Sequence, residues 1–286
     1  MSARDTYLWL NDELLPASQG RVSVLDRGFL YGDGLFETLR AKNGRVELLQ
    51  PHLQRLAASA RELNLPFPAR YPWEERLTRL LAVNRLASGM AAVKIILTRG
   101  EHPELGLPAV PRGTLVITAR PYSPPPSEEY RRGWPTVIFP ARRTSFLGGH
   151  KTLNYLYYLA ARQYATERGG REALILEADG RLSEAATANL VLLREGVYET
   201  PAAASALPGV TLAALARGLA ARGRELVRVP LRPRDLWAAE GVWLINSLMG
   251  LMPVAAVDGR ELPVPVETGR FLGECLAEAA KEAPEE

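Results

Sequence analysis

The middle of this chain carries Pro121-Tyr122-Ser123-Pro124-Pro125-Pro126-Ser127, and its three successive prolines constrain the fold more than any other stretch. Proline holds φ near one value and offers no backbone donor, so the run reads as an extended, semi-rigid spacer. It divides the chain into a small N-terminal domain over 1–120, a linker over 121–130 and a larger domain over 131–286. With 286 residues and 47% apolar content, one large core or two modest ones can form. Charged residues at 23% are at the ordinary globular level, which argues against wholesale disorder.

Ahead of the spacer, Tyr7-Leu8-Trp9-Leu10 and Val22-Ser23-Val24 read as short strands joined through a turn near Asn11-Asp12. From Asp26 to Arg40 the chain carries Gly28, Gly32 and Gly34, and spacing alone reads this as a tight loop entering a strand. Asn43-Gly44 signals a hairpin that returns through Val46-Glu47-Leu48-Leu49. A helix is expected from Pro51, with Leu53, Leu56, Ala57, Ala60 and Leu63 as its buried stripe and Arg55 on the stripe's edge. A second helix spans Trp73 to Leu86, and strands follow at Ala92–Thr98 and Thr114–Arg120. Alternating hairpins and helices imply a small α+β domain.

Beyond the spacer, a strand is expected around Thr136–Phe139 and a helix from about Asn154 to Glu167, capped at Gly169-Gly170. Strands then succeed one another at Glu172–Glu177, Arg181–Glu184, Asn189–Leu193 and Val197–Glu199, with a turn at Asp179-Gly180. Leu207-Pro208-Gly209-Val210-Thr211 leads into a helix, followed by strands at Leu226–Val229, Val242–Ile245 and Pro253–Val257 and a final helix over Glu267–Glu282.

The formal net charge is only +3, from 35 basic against 32 acidic residues, so the basic isoelectric point is poor support for a nucleic-acid partner. One cysteine, Cys275, excludes an internal disulfide and a cysteine-rich metal site. His52, His102 and His150 share no metal-binding spacing, so no metal is expected. The N-terminus, MSARDTYLWLNDELLP, lacks the apolar core of a signal peptide. No run approaches the ~18 uncharged residues of a membrane span. The expectation is a cytoplasmic protein acting on a small molecule, without a membrane partner.

The chemistry-bearing stretch runs from Phe146 to Asn189. Lys151 follows Gly148-Gly149-His150, where glycines allow close packing and Tyr155, Leu156 and Leu159 make the vicinity apolar. A solvated surface lysine is the ordinary reading; desolvation instead disfavours the ammonium and suits an amine that must form an imine. Glu184 is by default a solvated face residue, but Ala185-Ala186-Thr187-Ala188 beside it are small enough for a planar ring to lie against the backbone. A lysine and a carboxylate at opposite ends of one helix–hairpin unit can grip a flat, charged heterocycle. Asn189 orients that carboxylate or a neighbouring backbone group, or is simply structural. Val210 and Thr211 open a helix whose N–H groups and dipole favour an anion; Thr211 adds its hydroxyl or merely caps its own helix. Asn246-Ser247-Leu248-Met249-Gly250 offers further donors, and Arg55 a fixed positive charge suited to phosphate.

From about Asp26 to Val254 these motifs, with K-x-x-N-Y at Lys151–Tyr155, resemble the fold-type IV pyridoxal-phosphate enzymes, the class-IV aminotransferase family. The resemblance implies a two-domain α+β fold, with a small N-terminal α/β domain and a larger β-rich, pseudo-barrel C-terminal domain with helices. It implies pyridoxal 5'-phosphate as cofactor, a Schiff base on Lys151, Glu184 facing the pyridine nitrogen and Tyr155 near the phenolic oxygen. Arg55, Asn189, Val210, Thr211, Ser247 and Leu248 would complete the cofactor contacts. It further implies a homodimer in which the loop from Arg99 to Leu107 reaches a neighbouring subunit's substrate pocket.

Within the family, GDGLFETLR, HKTLNYL and NSLMGLMPV look more like the aminodeoxychorismate lyases than the transaminases, and Thr38 matches a lyase position that aids proton movement. The implied reaction converts 4-amino-4-deoxychorismate to 4-aminobenzoate, a folate precursor, and pyruvate, with Lys151 as general base. There are two departures: Leu212 follows Thr211 where the family commonly has arginine, and the Tyr155 match is loose. The alternative is a transaminase of branched-chain or D-amino acids, since Arg99 after Thr98 resembles a carboxylate-binding arginine of the D-amino acid enzymes. Arg40 and Arg99 are the candidate substrate clamps and read equally as surface ion-pair partners. A cofactor-binding or basic-surface protein that has lost its chemistry is the remaining class.

Overall fold

The computed structural model describes residues 6–110 and 112–281. Its first strands, β1 (Tyr7–Leu10) and β2 (Glu13–Pro16), form a hairpin turning at Asn11, which adopts φ 52°. The expected strand at Val22–Val24 does not form, and Val22 and Val24 are exposed with no neighbouring strand to pair with. The glycine-rich stretch holds a short helix, α1 (Arg27–Tyr31), where a plain loop was expected. Asp26 caps it by accepting from the Gly28 N–H at 2.7 Å, and Gly32 ends it in the left-handed region at φ 68°.

Next come β3 (Gly34–Lys42), β4 (Arg45–Val46), α2 (Leu49–Glu62), α3 (Trp73–Val83), β5 (Met90–Thr98) and β6 (Thr114–Pro121). The strands make one antiparallel sheet in the order β2-β1-β6-β5-β3-β4. Side chains alternate across it, so Leu35, Glu37, Leu39 and Ala41 of β3 form one buried row facing α2. Phe36, Thr38 and Arg40 lie on the other face. Helix α2 starts two residues before Pro51, which sits in the first turn, where proline is tolerated. Helix α3 stops at Val83, short of Leu86, because the Asn84 side chain is taken by strand β1: it accepts from Tyr7 N–H at 2.7 Å and donates to Tyr7 O at 2.9 Å.

The chain separates into two compact units, Met1–Ser123 with Lys151–Asn154, and Pro124–His150 with Tyr155–Glu286. Residues 122–126 belong to no helix or strand and α4 (Ser127–Arg132) follows, so the expected linker ends in a helix. The second unit continues with β7 (Trp134–Ile138), α5 (Leu156–Glu167), β8 (Glu172–Leu176), β9 (Leu182–Ala185), β10 (Asn189–Arg194) and β11 (Val197–Pro201). Then follow α6 (Val210–Ala221), β12 (Leu226–Val229), α7 (Pro233–Leu236), β13 (Gly241–Asn246), β14 (Gly250–Val257), β15 (Arg260–Glu261) and α8 (Val266–Lys281).

Its sheet runs β12-β11-β10-β13-β14-β7-β8-β9, with β15 beside β14. It curls until its two ends meet, where the Leu182 N–H of β9 donates at 2.8 Å to Leu231 O, just past β12. Leu174, Leu182, Leu190, Leu192, Leu244 and Met252 pack within the curl. Trp243 is fully buried on the alternate face of β13, and α6 packs against that strand and α8. Strands buried on both faces read as unbroken apolar runs, which is why Leu190–Leu193 and Val242–Ile245 show no polar alternation.

Helices α6 and α8 meet at Gly218, where an added Cβ would stand 2.1 Å from the Cys275 carbonyl oxygen. Alanine for glycine inside a helix is ordinarily stabilising by about 0.5–1 kcal/mol, whereas overpacking costs about 1–3 kcal/mol. Gly218→Ala is therefore expected to lower stability by about 1–2 kcal/mol in urea unfolding, the opposite sign to helix propensity.

Candidate active site

In the first unit, Lys151–Asn154 pairs with the head of β3. Phe36 N–H donates to Lys151 O at 2.8 Å, Leu153 N–H donates to Gly34 O at 2.9 Å, and Leu35 bridges Thr152. Strand β4 covers only Ala41 and Lys42 on that edge, so Gly34–Phe36 remain to receive the segment. Gly34 permits the approach, because a Cβ there would lie 2.6 Å from Leu97 O and 2.8 Å from Leu153 Cδ1. The Lys151 Nζ stands 4.7 Å from the Phe36 ring centroid, within cation–π range. Lys94 on β5 approaches the same ring at 4.7 Å and lies opposite Thr38 in register. Lys151 thus meets the face of β3 that carries Phe36 and Thr38.

On the opposite face, Glu37 is buried and bound bidentately by Arg55, Nε to Oε1 at 2.8 Å and Nη2 to Oε2 at 2.6 Å. His52 Nδ1 is 2.7 Å from Glu37 Oε2. Burial pushes the Glu37 carboxyl up, but the Arg55 charge and the bonds from His52 and Arg55 outweigh it and hold it at about 2. Burial pulls His52 below its ordinary value against the pull of Glu37, so its ring is neutral, with Nδ1 protonated toward the carboxylate. The expected phosphate arginine therefore carries an internal counter-ion, Glu37, which was not anticipated. Alternation places Glu37 on the helix-facing side, and a charge on a buried face calls for a partner.

Two candidate clamps are engaged elsewhere. Arg40 pairs with Glu47 at 2.6 Å beside the hairpin. Arg99 is fully buried and spends all five N–H groups internally: on Asp33 at 2.7 and 3.0 Å, and on the carbonyls of Asn64, Pro108 and Leu63. It is therefore a buried ion-pair partner of Asp33 rather than a surface one. Asp33 also receives Arg27, whose other N–H groups hold Glu104 O and Gly106 O, so the two arginines lash the 99–108 loop down. Burial raises the Asp33 carboxyl, yet the bonds and charges of Arg99 and Arg27 leave it net lowered.

In the second unit, β9 carries an extra residue. Leu182 opposes Leu176 while Glu184 opposes Ile175, so Ser183 is a bulge and Glu184 turns onto the Ile175 face. Ile175 packs with Ala161 and Ala165 of α5 there. Glu184 Oε1 accepts from the Tyr158 hydroxyl at 2.6 Å and Oε2 from Leu207 N–H at 3.0 Å. Asn189 Nδ2 donates to Leu207 O at 2.9 Å, so the main chain of Leu207 is held at both its N–H and its C=O. The Tyr155 hydroxyl donates to Ala186 O at 3.1 Å, and burial followed by the charges of Glu172 and Glu184 pushes it well above the usual phenol range.

Val210 and Thr211 are buried in the first turn of α6, which no side chain caps. At Gly209 a Cβ would fall 1.9 Å from Asn189 Oδ1, so only glycine admits this approach. Asn246 Oδ1 accepts from the N–H groups of Leu248 and Met249 at 3.0 and 2.9 Å, shaping the turn that holds Ser247 and Leu248. Within the second unit, a buried acid, an uncapped helix start and a hydroxyl-bearing turn are groups that suit a flat phosphorylated heterocycle such as pyridoxal 5'-phosphate. Tyr158 was not anticipated, although it shares a helix face with Tyr155 three residues away. Among the described residues no helix is long and apolar enough to cross a membrane, and no cluster of acids, histidines and cysteine is arranged for a metal.

The amino-transferase class IV family matches residues 34–257. A putative branched-chain-amino-acid aminotransferase of Methanocaldococcus jannaschii is 31% identical over 257 residues, covering 88% of this chain and 88% of the relative. A bifunctional aminodeoxychorismate lyase / D-amino acid transaminase of Mycobacterium tuberculosis is 29% identical over 276 residues, covering 89% and 92%. The crystal structure of 4-amino-4-deoxychorismate lyase from Pseudomonas aeruginosa matches with a TM-score of 0.82 at 31% identity, over 95% of this chain and 98% of that one. The mixed helices and curled half-barrel sheet are those of the fold-type IV enzymes.

The Glu37 carboxyl, held at about 2 against an ordinary 4.5, contributes stability that is complete above about pH 4.5 and lost as the pH falls toward 2. That difference corresponds to something on the order of 3 kcal/mol. Glu37→Gln is expected to flatten this acid limb and to destabilise at pH 7 by about 3 kcal/mol, since Arg55 loses its counter-ion. Urea midpoints measured against pH for both proteins check the two effects.

Proposed function

We propose, for a chain that belongs to the class IV aminotransferase family and so depends on pyridoxal 5'-phosphate, that its reaction converts 4-amino-4-deoxychorismate to 4-aminobenzoate and pyruvate. The observation that carries this reading is the shared face of β3, where the Lys151 ammonium lies over Phe36 and Thr38 stands two residues along. An amine and a hydroxyl on one face suit a reaction that removes a proton and returns one. Likeness to the Pseudomonas aeruginosa lyase over nearly the whole chain supports it. The internal engagement of Arg99 supports it too, since the D-amino acid reading leans on that arginine holding a carboxylate.

Lys151 provides the amine that holds the cofactor's aldehyde. Glu184 is the acid for the ring nitrogen, and Arg55, Val210, Thr211, Ser247 and Leu248 serve the phosphate, with Asn189 fixing the backbone beside them. When bound, the cofactor supplies an electron sink for negative charge at the amine-bearing carbon. Lys151 would take the proton from that carbon as general base. The ether bond to the enolpyruvyl group breaks as the ring becomes aromatic, and a proton returned with help from Thr38 turns the departing enolpyruvate into pyruvate. Aromatisation makes the elimination downhill, so the protein's task is chiefly geometry. A second reading, amino transfer on the same residues, draws support from the Mycobacterium tuberculosis relative whose name joins both activities.

Purified holoenzyme given aminodeoxychorismate is expected to release pyruvate and 4-aminobenzoate in equal amounts. Amino transfer across an amino-acid panel, with neither product from aminodeoxychorismate, would sink the lyase reading. Lys151→Ala is expected to lose the cofactor's visible band and to cut turnover by roughly 10³-fold or more; unchanged behaviour would restore the non-enzymatic class. We also propose a homodimer, supported by exposed Val24, Phe29, Tyr31 and Leu105 on the first unit, and sedimentation at the monomer mass would count against it.

A further inference from the structure

Arg143 follows β7, its main-chain N–H on Leu176 O at 3.1 Å. Its guanidinium carbon lies 4.5 Å from the ring centroids of both Tyr157 and Tyr158. Nη2 donates to the Tyr158 hydroxyl oxygen at 2.5 Å, while Nε is buried without a hydrogen-bond partner. Among the described residues Arg143 makes no ion pair, so its charge is placed against two aromatic rings and one phenol.

Tyr158 stands between this cation and Glu184. Guanidinium can only donate, and an ionised carboxylate can only accept. The single Tyr158 proton must therefore point at Glu184, and the chain runs one way: Arg143 N–H to Tyr158, Tyr158 O–H to Glu184 Oε1. Leu207 N–H supplies the other carboxylate oxygen. A bidentate arginine would engage both oxygens at once, whereas the phenol passes the guanidinium's influence through a single contact.

We propose that Arg143 and Tyr158 are positioning residues that hold Glu184 as an oriented anion and thereby set how firmly the cofactor's ring nitrogen keeps its proton. The inference rests on the reading of Glu184 as that nitrogen's partner, and it is indifferent to whether the reaction is elimination or amino transfer. Donors aimed at a carboxylate make it a weaker base, so the proton stays on the ring, where it strengthens the electron sink. Titratable groups against this cluster include Tyr155, Tyr157, Glu172 and Glu177. The phenols are kept as neutral donors, because burial and then neighbouring negative charge push Tyr158 far above the usual range and burial raises Tyr155 and Tyr157. Glu172 is raised by burial and receives Thr187 and Arg162. Glu177 has its own donors, Thr144, Ser183 and Ser205.

The test is the visible spectrum of the bound cofactor titrated over about pH 5 to 10, with kcat, KM and melting temperature, for wild type, Tyr158→Phe, Arg143→Met, Arg143→Lys and Glu184→Gln. Tyr158→Phe keeps the ring against Arg143 and removes only the hydroxyl. It is expected to raise the spectral midpoint by about one pH unit and lower kcat about tenfold with little change in KM. Arg143→Met should move the midpoint the same way, and Arg143→Lys, which keeps a charge and a donor, should return most of it. If Glu184→Gln shifts the midpoint and Tyr158→Phe leaves both midpoint and kcat at wild-type values, the relay is overturned and the Glu184 reading survives. If Glu184→Gln shifts nothing, the Glu184 reading falls first. Should Tyr158→Phe fail to fold, the Arg143→Met and Arg143→Lys pair decides: equal midpoints to wild type in both overturn the proposal.

Discussion

Two main-chain hydrogen bonds, Phe36 to Lys151 and Leu153 to Gly34, govern where the Lys151 amine stands. By chain order Lys151 belongs with the stretch that leads into α5, yet its backbone is held by the first sheet. An exposed strand edge is a row of unmet donors and acceptors. Strand β4 is too short to cover the head of β3, so four residues from far along the chain complete it. A backbone held in this way limits the lysine to its side-chain freedom, and the Phe36 ring narrows that further.

Buried charge is handled by the same kind of over-determination. Glu37 meets Arg55 and His52, Asp33 meets Arg27 and Arg99, and Glu177 meets Thr144, Ser183 and Ser205. Removing such groups from water costs several kcal/mol each, and the pairing roughly offsets that without a large surplus. What such pairs contribute is one geometry: Arg99 fastens a loop to the head of β3, and Arg55 is pinned to the strand beneath Lys151's face. Glu184 meets a phenol and a peptide N–H, and the Arg143 guanidinium reaches it through that phenol.

Much of the element order was legible because it is written in local periodicity. The α2 stripe, the apolar runs of β10 and β13, the Asn43-Gly44 turn and the proline spacer each depend on residues within a few positions of one another. Element ends were less legible wherever a distant group intervened, as at Asn84, whose amide is claimed by Tyr7. Val22–Val24 has strand-like residues and no strand, because pairing requires a neighbour that the sequence cannot supply locally. Among the candidate site residues, the types and order of Lys151, Glu184, Thr211 and Ser247 are matters of sequence. Their surroundings are not: Glu37 behind Arg55, Tyr158 on Glu184 and the full internal engagement of Arg99 are all long-range contacts.

The covalent order of the chain determined which groups are available, roughly which segments are helix or strand, and, through the resemblance of its motifs, the family. Tertiary structure alone decided which way those groups point. Straight alternation would put Leu182 and Glu184 on the same face of β9; the extra residue at Ser183 turns the acid to the opposite one. A bulge exists only relative to a partner strand, and an edge pairing such as Lys151 on β3 only relative to a sheet, so neither leaves a mark in local sequence.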